Sequence, residues 1–194
     1  MNKIANQKEI YVLGSDASGI ENFSSREKDL ILSIKNIAIP KRLAKITEEW
    51  FLKNSREKDF PKIFPTDKPK DLIEWLKKCN ENVVVIASGD PLWYGIGKTL
   101  LEVFPREQLY FFPKLSSLQI IFARLKSSWQ EVSWISIHGR DPEILIKKLQ
   151  KKPKSIAILP DPKRGGAEEI RNILSGIGLE EKYEFWIGER LGHK

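Results

Sequence analysis

The feature that most constrains the fold of this chain is an apolar run that stops abruptly at a small turn. Val83–Ala87 consists of apolar, mostly β-branched residues, and Ser88-Gly89-Asp90-Pro91 follows at once. A run that is apolar on both faces is typical of a strand in the middle of a parallel sheet. In α/β proteins the carboxyl ends of such strands are where ligands bind. The run therefore predicts an α/β fold, and the turn is a candidate ligand-binding loop.

The rest of the chain alternates between strand-like and helix-like segments. We predict strands at Glu9–Gly14, Ile37–Pro40, Val83–Ala87, Leu109–Phe112, Val132–His138, Ser155–Leu159 and Tyr183–Gly188, with a further short strand near Ile63. Helices are predicted after the S-x-x-E capping box of Ser24 and Glu27, and at Lys41–Lys53, Lys70–Cys79, Gly97–Phe104, Ser117–Lys126, Pro142–Gln150 and Ala167–Ser175. This repetition predicts a parallel sheet. Pro113 marks a domain boundary, which gives an α/β domain at 1–113 and a smaller one at 114–194.

Composition limits the classes of protein to which the chain can belong. Of its 194 residues 41% are hydrophobic, which is enough for a core, and no apolar run is as long as a membrane span. The N-terminus lacks a secretory hydrophobic region, so we expect a cytoplasmic protein. The lone Cys79 cannot form an intramolecular disulfide. Because there are only two histidines as well, we expect no protein-bound metal.

The net charge of +7 favours an anionic partner. Nucleic acid, an anionic membrane surface and an acidic small molecule all satisfy this condition. Charged residues make up 30% of the chain, and a solvated, salt-bridged surface accounts for most of them. Charge alone therefore does not select among the partners.

Two glycine turns follow predicted strands in the first half. In Gly89-Asp90-Pro91, Asp90 has either of two roles: it accepts hydrogen bonds from a ligand, or it braces the turn. The loop from Gly14 to Gly19, which reads G-S-D-A-S-G, has neither the G-x-G-x-x-G spacing nor a Walker lysine. A plain connection between strand and helix is therefore the better interpretation of that loop.

Polar residues also lie at the predicted element ends of the second half. Ser116 and Ser117 precede a helix, where they either cap it or contact a ligand. His138 follows an apolar strand and is either structural or catalytic. Arg140 beside it can pair with a carboxylate through two hydrogen bonds. No Ser, Asp or Cys stands in a nucleophile motif, so a triad hydrolase is unsupported.

Read together, these segments resemble the tetrapyrrole methylase family. The resemblance is carried by A-S-G-D-P-L-W-Y-G-I-G at Ala87–Gly97, F-F-P-K-L-S-S-L-Q-I-I-F-A-R-L at Phe111–Leu125, W-Q at Trp129 and Gln130, S-I-H-G-R at Ser136–Arg140 and I-G-E-R-L-G at Ile187–Gly192. It spans nearly the whole chain. Within the family, the combination is most similar to the cobalamin-pathway branch that methylates C-5 of precorrin-type corrinoids.

The resemblance implies a fold, a cofactor and an assembly. The expected fold is two α/β domains with the active-site cleft between them, and a homodimer is expected. The cofactor is S-adenosylmethionine, held largely by main-chain groups. The positions that correspond to its contacts are Ser88, Gly89, Asp90, Trp93, Ser116, Ser117, His138 and Leu159.

The substrate implied by the resemblance is a precorrin or cobalt-precorrin, which carries many carboxylates. Our candidates for contacts with it are Gly14, Tyr94, Arg124 and Arg140, and His138 is the candidate general base. Because no C-15 methyltransferase domain is present in this sequence, a companion enzyme is expected to perform that decarboxylating methylation. No nucleic acid or membrane partner is expected.

The chain departs from the family pattern in two places. The family normally has G-x-G-P-G near the first strand, where this chain has G-S-D-A-S-G, which puts the contacts of that loop in question. Family members usually continue with a further strand hairpin beyond the position of Lys194. The second domain is therefore expected to lack its last strands.

Two alternative functions remain open from the sequence. The same fold serves methyltransferases of ribosomal RNA and of a modified translation-factor histidine, and a positive charge suits RNA. A non-catalytic nucleic-acid-binding protein would use the charge alone and would not bind S-adenosylmethionine.

Overall fold

A computed structural model describes residues 7–16, 18–55, 60–189 and 191. They form two compact units, the first ending at Ser116 and the second comprising Ser117–Leu191. The assignment of domains to 1–113 and 114–194 stays a prediction. In the described parts of the chain, no helix has both the length and the apolar character needed to cross a membrane.

The first unit is built on a five-stranded parallel sheet. Its strands are β1 (Ile10–Ser15), β2 (Asn36–Ile39), β3 (Lys62–Pro65), β4 (Val83–Ser88) and β5 (Leu109–Phe112), in the order β3-β2-β4-β1-β5. The apolar run that opened the sequence analysis is therefore the central strand. Its residues from Val83 to Ala87 are buried. A mixed α/β fold with a parallel sheet is confirmed.

Helices cover both faces of this sheet. They are α1 (Ser25–Ser33), α2 (Ala44–Asn54), α3 (Pro69–Lys78) and α4 (Gly97–Val103). One core contains Ile31 of α1 and Phe51 of α2, and the other contains Leu76 of α3 and Leu100 of α4. The alternating side chains of β1 and β4 contribute to both cores. This two-sided burial explains why the central strand is apolar at every position.

The order of the strands fixes where the loops separate. The chain leaves β1 for α1 on one face and leaves the neighbouring β4 for α4 on the other. Adjacent strands whose connections depart to opposite faces form a topological switch point, and a crevice opens beyond their carboxyl ends. The loops after β1 and β4 meet at this position.

The second unit contains a two-stranded parallel sheet and three helices. These elements are α5 (Ser117–Leu125), β6 (Ser133–Ser136), α6 (Glu143–Leu149), β7 (Ile156–Leu159) and α7 (Ala167–Gly176). Ile135 and Ile137 pack with apolar residues of α6 and α7, among them Leu145 and Ile170.

The last predicted strand is wrong. After a short 3₁₀ turn at Glu180–Lys182, residues 183–189 form no strand. Tyr183 and Phe185 pack against the core of the second unit, and the Tyr183 hydroxyl donates to the carbonyl of Pro153 at 2.8 Å. The alternation of residues there reflects side chains anchored on a surface, without the backbone pairing that defines a strand.

Candidate functional site

The loops after β1, β4 and β5 approach one another closely at the carboxyl edge of the first sheet. The Gly89 amide donates to the Ser15 carbonyl at 2.8 Å, and the Lys114 amide donates to the Gly89 carbonyl at 3.3 Å. A Cβ on Gly14 would lie 2.0 Å from the Gly89 carbonyl oxygen and 2.7 Å from the Lys114 nitrogen. Only glycine fits at position 14, because three backbone segments converge there.

The loop that starts at Gly89 is held by its own hydrogen bonds. The Asp90 Oδ1 atom accepts from the Leu92 amide at 2.9 Å, which confirms that Asp90 braces the turn. The Gly97 amide donates to the Pro91 carbonyl at 2.8 Å. A Cβ at Gly97 would lie 2.6 Å from that same oxygen. The loop is therefore fixed before any ligand binds, while a ligand contact by Asp90 stays a prediction.

Two aromatic side chains follow Asp90 in this loop. The rings of Trp93 and Tyr94 meet edge to face, with 4.8 Å between centroids. Tyr94 has a φ of 51°, in the left-handed region that residues other than glycine seldom adopt, and 39% of it is exposed. Strained backbone of this kind is often found at functional sites, and a substrate contact by Tyr94 stays a prediction.

An arginine that the sequence analysis did not single out also reaches this edge. The Arg42 Nη2 atom donates to the Ser88 Oγ atom at 2.7 Å. Arg42 follows β2, and Ser88 is the last residue of the neighbouring β4. Arg42 could have been identified only from the order of the strands in the sheet, which cannot be read directly from the sequence.

The loop after β5 is tied to the start of α1 by an ion pair. The Lys114 Nζ atom lies 3.4 Å from the Glu27 Oε2 atom and 5.5 Å from the centroid of the Phe23 ring. Burial alone would raise the pKa of Glu27. Hydrogen bonds from Ser24 and the charge of Lys114 outweigh it, so the pKa is lowered. Glu27 therefore stays ionised and anchors the Lys114 side of the loop.

In the second unit, Asp161 joins the loops that follow β6 and β7. Its Oδ2 atom accepts from the Gly139 amide, and its Oδ1 atom accepts from the Lys163 amide, both at 3.0 Å. These bonds, followed by the charge of Arg164, lower the pKa of Asp161. Arg164 also donates to the Ile137 carbonyl at 2.8 Å. The sequence analysis missed this brace because Asp161 lies 22 residues after Gly139.

A cavity of about 560 Å³ lies within the second unit, between α5, β7, residues 182–188 and Leu191. Its lining is mostly apolar, and it includes Ser117 and Leu159, two of the predicted cofactor contacts. Small-molecule sites typically enclose 300–1,000 Å³. The cavity is thus large enough for part of a cofactor.

The predicted site residues fall into three groups, and Arg124 lies apart from them. The first group lies at the carboxyl edge of the first sheet, at the ends of β1 and β4 or in the loops after β4 and β5, and consists of Gly14, Ser88, Gly89, Asp90, Trp93, Tyr94 and Ser116. Ser117 and Leu159 share the cavity of the second unit. His138 and Arg140 are exposed in the loop after β6. Arg124 is exposed in the last turn of α5 and does not line the cavity.

Some features lie outside what the structure describes. Ala17 of the first loop, and Arg190 and Gly192 of the late I-G-E-R-L-G motif, are not among the described residues. Within the described ranges, no three His, Cys, Asp or Glu side chains are grouped so that they could hold a metal ion.

Comparison with known proteins decides the family. The model of the tetrapyrrole (corrin/porphyrin) methylases matches residues 10–194. The chain belongs to the tetrapyrrole methylase family. The family assignment from the sequence is therefore confirmed, and the G-D-P loop and the S-S pair lie within the matched range.

Two curated relatives indicate a branch of the family. The chain is 29% identical over 127 residues to the probable cobalt-precorrin-7 C(5)-methyltransferase of Methanocaldococcus jannaschii, an alignment that covers 64% of this chain and 58% of that protein. It is 31% identical over 105 residues to the cobalt-precorrin-7 C(5)-methyltransferase of Salmonella typhimurium, covering 54% and 51%. The chain thus spans between half and three fifths of the length of these relatives.

A solved structure supports the fold. The crystal structure of the cobalamin biosynthesis precorrin-6Y methylase of Archaeoglobus fulgidus matches with a TM-score of 0.55 at 24% identity, covering 79% of this chain and 73% of that one. At this identity the match shows the fold of the family and carries no information on substrate.

Proposed function

We propose that this chain is an S-adenosylmethionine-dependent methyltransferase that methylates a precorrin-type tetrapyrrole at C-5 in cobalamin biosynthesis. The observation that carries the proposal is the similarity to proteins named cobalt-precorrin-7 C(5)-methyltransferase in two organisms. The names favour a tetrapyrrole substrate over RNA. Whether the substrate contains cobalt is a separate question, since homologues named for both kinds of substrate match the chain.

The residues present fit the cofactor. Gly89, directly after β4, has a φ of 60°, which favours glycine, and the absence of a side chain there lets a ligand approach the turn closely. Ser88 and Asp90 add polar atoms on either side. In the second unit, Ser117 and Leu159 line a mostly apolar cavity that is large enough for part of the cofactor. We assign the cofactor contacts to these groups, together with Trp93, Ser116 and His138.

The proposed reaction does not require a nucleophile from the protein. A methyl group on a sulfonium is already activated, and an electron-rich tetrapyrrole carbon can attack it directly. The protein residues therefore orient the two reactants and exclude water. The rigid turn at Asp90 and the aromatic pair of Trp93 and Tyr94 suit that role, since their positions are set by the loop itself.

Basic residues account for recognition of an acidic substrate. Arg140 is exposed after β6, where a guanidinium can pair with a substrate carboxylate. Arg124 is assigned the same role with less support, because it lies at the far end of α5 from Ser117. His138 is exposed beside Arg140 and is our candidate for accepting the proton that the methylated carbon releases.

The assembly and location complete the proposal. We propose a cytoplasmic homodimer that binds S-adenosylmethionine. We also propose that a companion enzyme carries out the neighbouring C-15 methylation with decarboxylation. The family resemblance supports these points, and cross-linking with size-exclusion chromatography tests the dimer.

The central experiment measures methyl transfer and cofactor binding separately. Incubation with S-adenosylmethionine and cobalt-precorrin-7, or its cobalt-free counterpart, should add one methyl group by mass spectrometry. Asp90→Leu should weaken S-adenosylmethionine binding in calorimetry by about tenfold or more, because the braced turn is lost.

Asp141→Leu is the matched control. Asp141 also accepts from the amide two residues onward at 2.9 Å, in the second unit. Unchanged cofactor affinity in Asp90→Leu would contradict the role of the loop. Absence of methyl transfer by the unmodified protein, with either corrinoid, would contradict the proposed activity.

A further inference from the structure

Arg42 occupies an unusual position for an exposed cation. It lies in the 3₁₀ turn Lys41–Leu43 directly after β2, at the carboxyl edge of the first sheet. Its guanidinium extends across to Ser88, where β4 ends and the Gly89 turn begins. A long, flexible side chain on a solvated surface can remain hydrated without such a contact. Here it brings a positive charge beside the braced loop.

The backbone that carries Arg42 is fixed on both sides. The Lys41 amide donates to the Asp67 Oδ1 atom at 3.1 Å, and the Leu43 amide donates to the Pro40 carbonyl at 2.9 Å. The Leu43 side chain is 2% exposed and belongs to the core. With its backbone anchored and one nitrogen held by Ser88, the guanidinium loses little further freedom when it binds an anion.

The charge of Arg42 is not compensated within the part of the chain that the structure describes. It forms no ion pair there, whereas Arg164 of the second unit pairs with Asp161 and Glu169. The Ser88 hydroxyl uses its oxygen as the acceptor for Arg42, and its own hydrogen remains able to donate. A guanidinium and a hydroxyl donor side by side match the two oxygens of a carboxylate.

The geometry points to Arg42 and Ser88 as a carboxylate-binding pair at the rim of the site. This inference rests on the proposed function for its ligand, a carboxylate of the tetrapyrrole substrate. The methionyl carboxylate of the cofactor has the same chemistry and is the other source. Arg42 would position the bound molecule and would take no part in bond making.

The test uses binding, so that it does not depend on turnover. Uroporphyrin, a stable tetrapyrrole with carboxylates on every ring, is titrated against the full chain and followed by quenching of tryptophan fluorescence. We expect Arg42→Gln to weaken uroporphyrin binding by about tenfold, since hydrogen bonds between charged groups are about twice as strong as neutral ones. Arg42→Lys keeps the charge but lacks the paired N–H donors of the planar guanidinium, so it should give an intermediate loss of affinity.

Lys41→Gln is the matched control. It removes the same charge from the neighbouring position, where the backbone makes hydrogen bonds but the side chain makes no hydrogen bond or ion pair within the described residues. We expect it to weaken uroporphyrin binding by no more than about twofold, the effect of general electrostatics. The methyl esters of uroporphyrin should bind equally to all variants. Circular dichroism melts show that each variant is folded.

Calorimetry with S-adenosylmethionine assigns the source of the carboxylate. If Arg42→Gln weakens cofactor binding and leaves uroporphyrin binding intact, the pair holds the cofactor carboxylate. Equal losses of affinity in Arg42→Gln and Lys41→Gln, for both ligands, would overturn the inference. It would also be overturned if the unmodified chain did not bind uroporphyrin and Arg42→Gln bound S-adenosylmethionine as tightly as the unmodified chain. Failure of methyl transfer alone would contradict the proposed activity and would leave this comparison of affinities standing.

Discussion

The steric constraint at Gly14 is the sharpest one at the scale of single residues. Any side chain there would run into the Gly89 carbonyl and the Lys114 amide. We expect Gly14→Ala to lower the free energy of unfolding by about 1–3 kcal/mol, the usual cost of overpacking, because backbone atoms cannot move aside cheaply. It should also weaken S-adenosylmethionine binding, since the Gly89 turn must shift. Urea unfolding and calorimetry measure the two effects.

Gly176→Ala is the control for that prediction. A Cβ at Gly176 meets no atom within 4 Å, and this glycine ends α7 in the second unit. Its substitution should leave cofactor affinity unchanged. A Gly14→Ala variant as stable as the unmodified chain would show that the three converging loops can separate, and would contradict the steric argument.

The altered first loop can be understood at the same scale. The family's middle glycine and proline are absent, yet Asp16 accepts from the Ser18 amide at 2.8 Å and from the Asn22 side chain at 2.9 Å. Gly14 keeps the close approach to Gly89. The loss of the family's glycine and proline therefore changes the hydrogen bonds that brace the loop. The glycine at position 14, where the steric constraint is strongest, is retained.

The capping box of α1 is a prediction at the scale of one element. The Ser24 Oγ atom accepts from the Glu27 amide at 3.3 Å, and the Ser24 amide donates to the Glu27 carboxylate at 2.7 Å. Ser24→Ala should lower the free energy of unfolding by about 1 kcal/mol, the typical cost of a lost N-cap. Ser25→Ala, one residue further on, is the control. Equal effects in urea unfolding would exclude a capping role for Ser24.

The brace between β6 and β7 makes stability depend on pH. Asp161 has a pKa below its ordinary value of 3.8, mainly because the Gly139 and Lys163 amides donate to it. A lowered pKa in the folded state contributes stability above the ordinary pKa, and this contribution is lost as the pH falls below about 4. Asp161→Asn replaces one accepting carboxylate oxygen by an amide group that donates. It should therefore lower the melting temperature at neutral pH, and the melting temperature of this variant should decrease less as the pH is lowered.

Asp29→Asn provides the comparison, because Asp29 is exposed on α1 and its carboxylate forms no hydrogen bond or ion pair within the described residues. Thermal melts between about pH 3 and pH 7 measure the difference between the two variants. If both variants follow the same pH curve, Asp161 does not brace the loop that carries His138.

Local signals in the sequence were sufficient for most elements. The capping box located α1, and the apolar run located β4, because each depends on residues close together in the chain. Burial by neighbours decided the rest. Tyr183 and Phe185 alternate like a strand, but they are side chains packed on a core, so periodicity misled the prediction at 183–188.

The candidate site was predictable only where it is local. Gly89 and Asp90 follow a strand and could be found from that alone. Arg42 and Asp161 could not, since each acts through a neighbour brought close by strand order, 46 and 22 residues away. The family resemblance identified positions in both halves, but no pattern within the sequence connected them.

At the scale of the whole molecule, a net charge of +7 has a consequence that separates the candidate functions. If the substrate is a polycarboxylate tetrapyrrole, attraction between opposite charges is screened as salt is added. We expect the affinity for uroporphyrin to fall by about tenfold between 0.05 and 0.5 M salt. S-adenosylmethionine carries both signs of charge, so its affinity should change by no more than about twofold over that range.

The same titration tests the alternative of a non-catalytic nucleic-acid-binding protein. Such a protein would bind RNA or DNA with a steep dependence on salt, because binding releases counterions from the phosphates. It would not bind S-adenosylmethionine at any salt concentration. A methyltransferase of an acidic substrate should show measurable cofactor affinity that is nearly independent of salt, and porphyrin affinity that falls with salt. A non-catalytic nucleic-acid-binding protein would not show the first of these. Steep salt dependence for RNA without cofactor binding would reverse the conclusion.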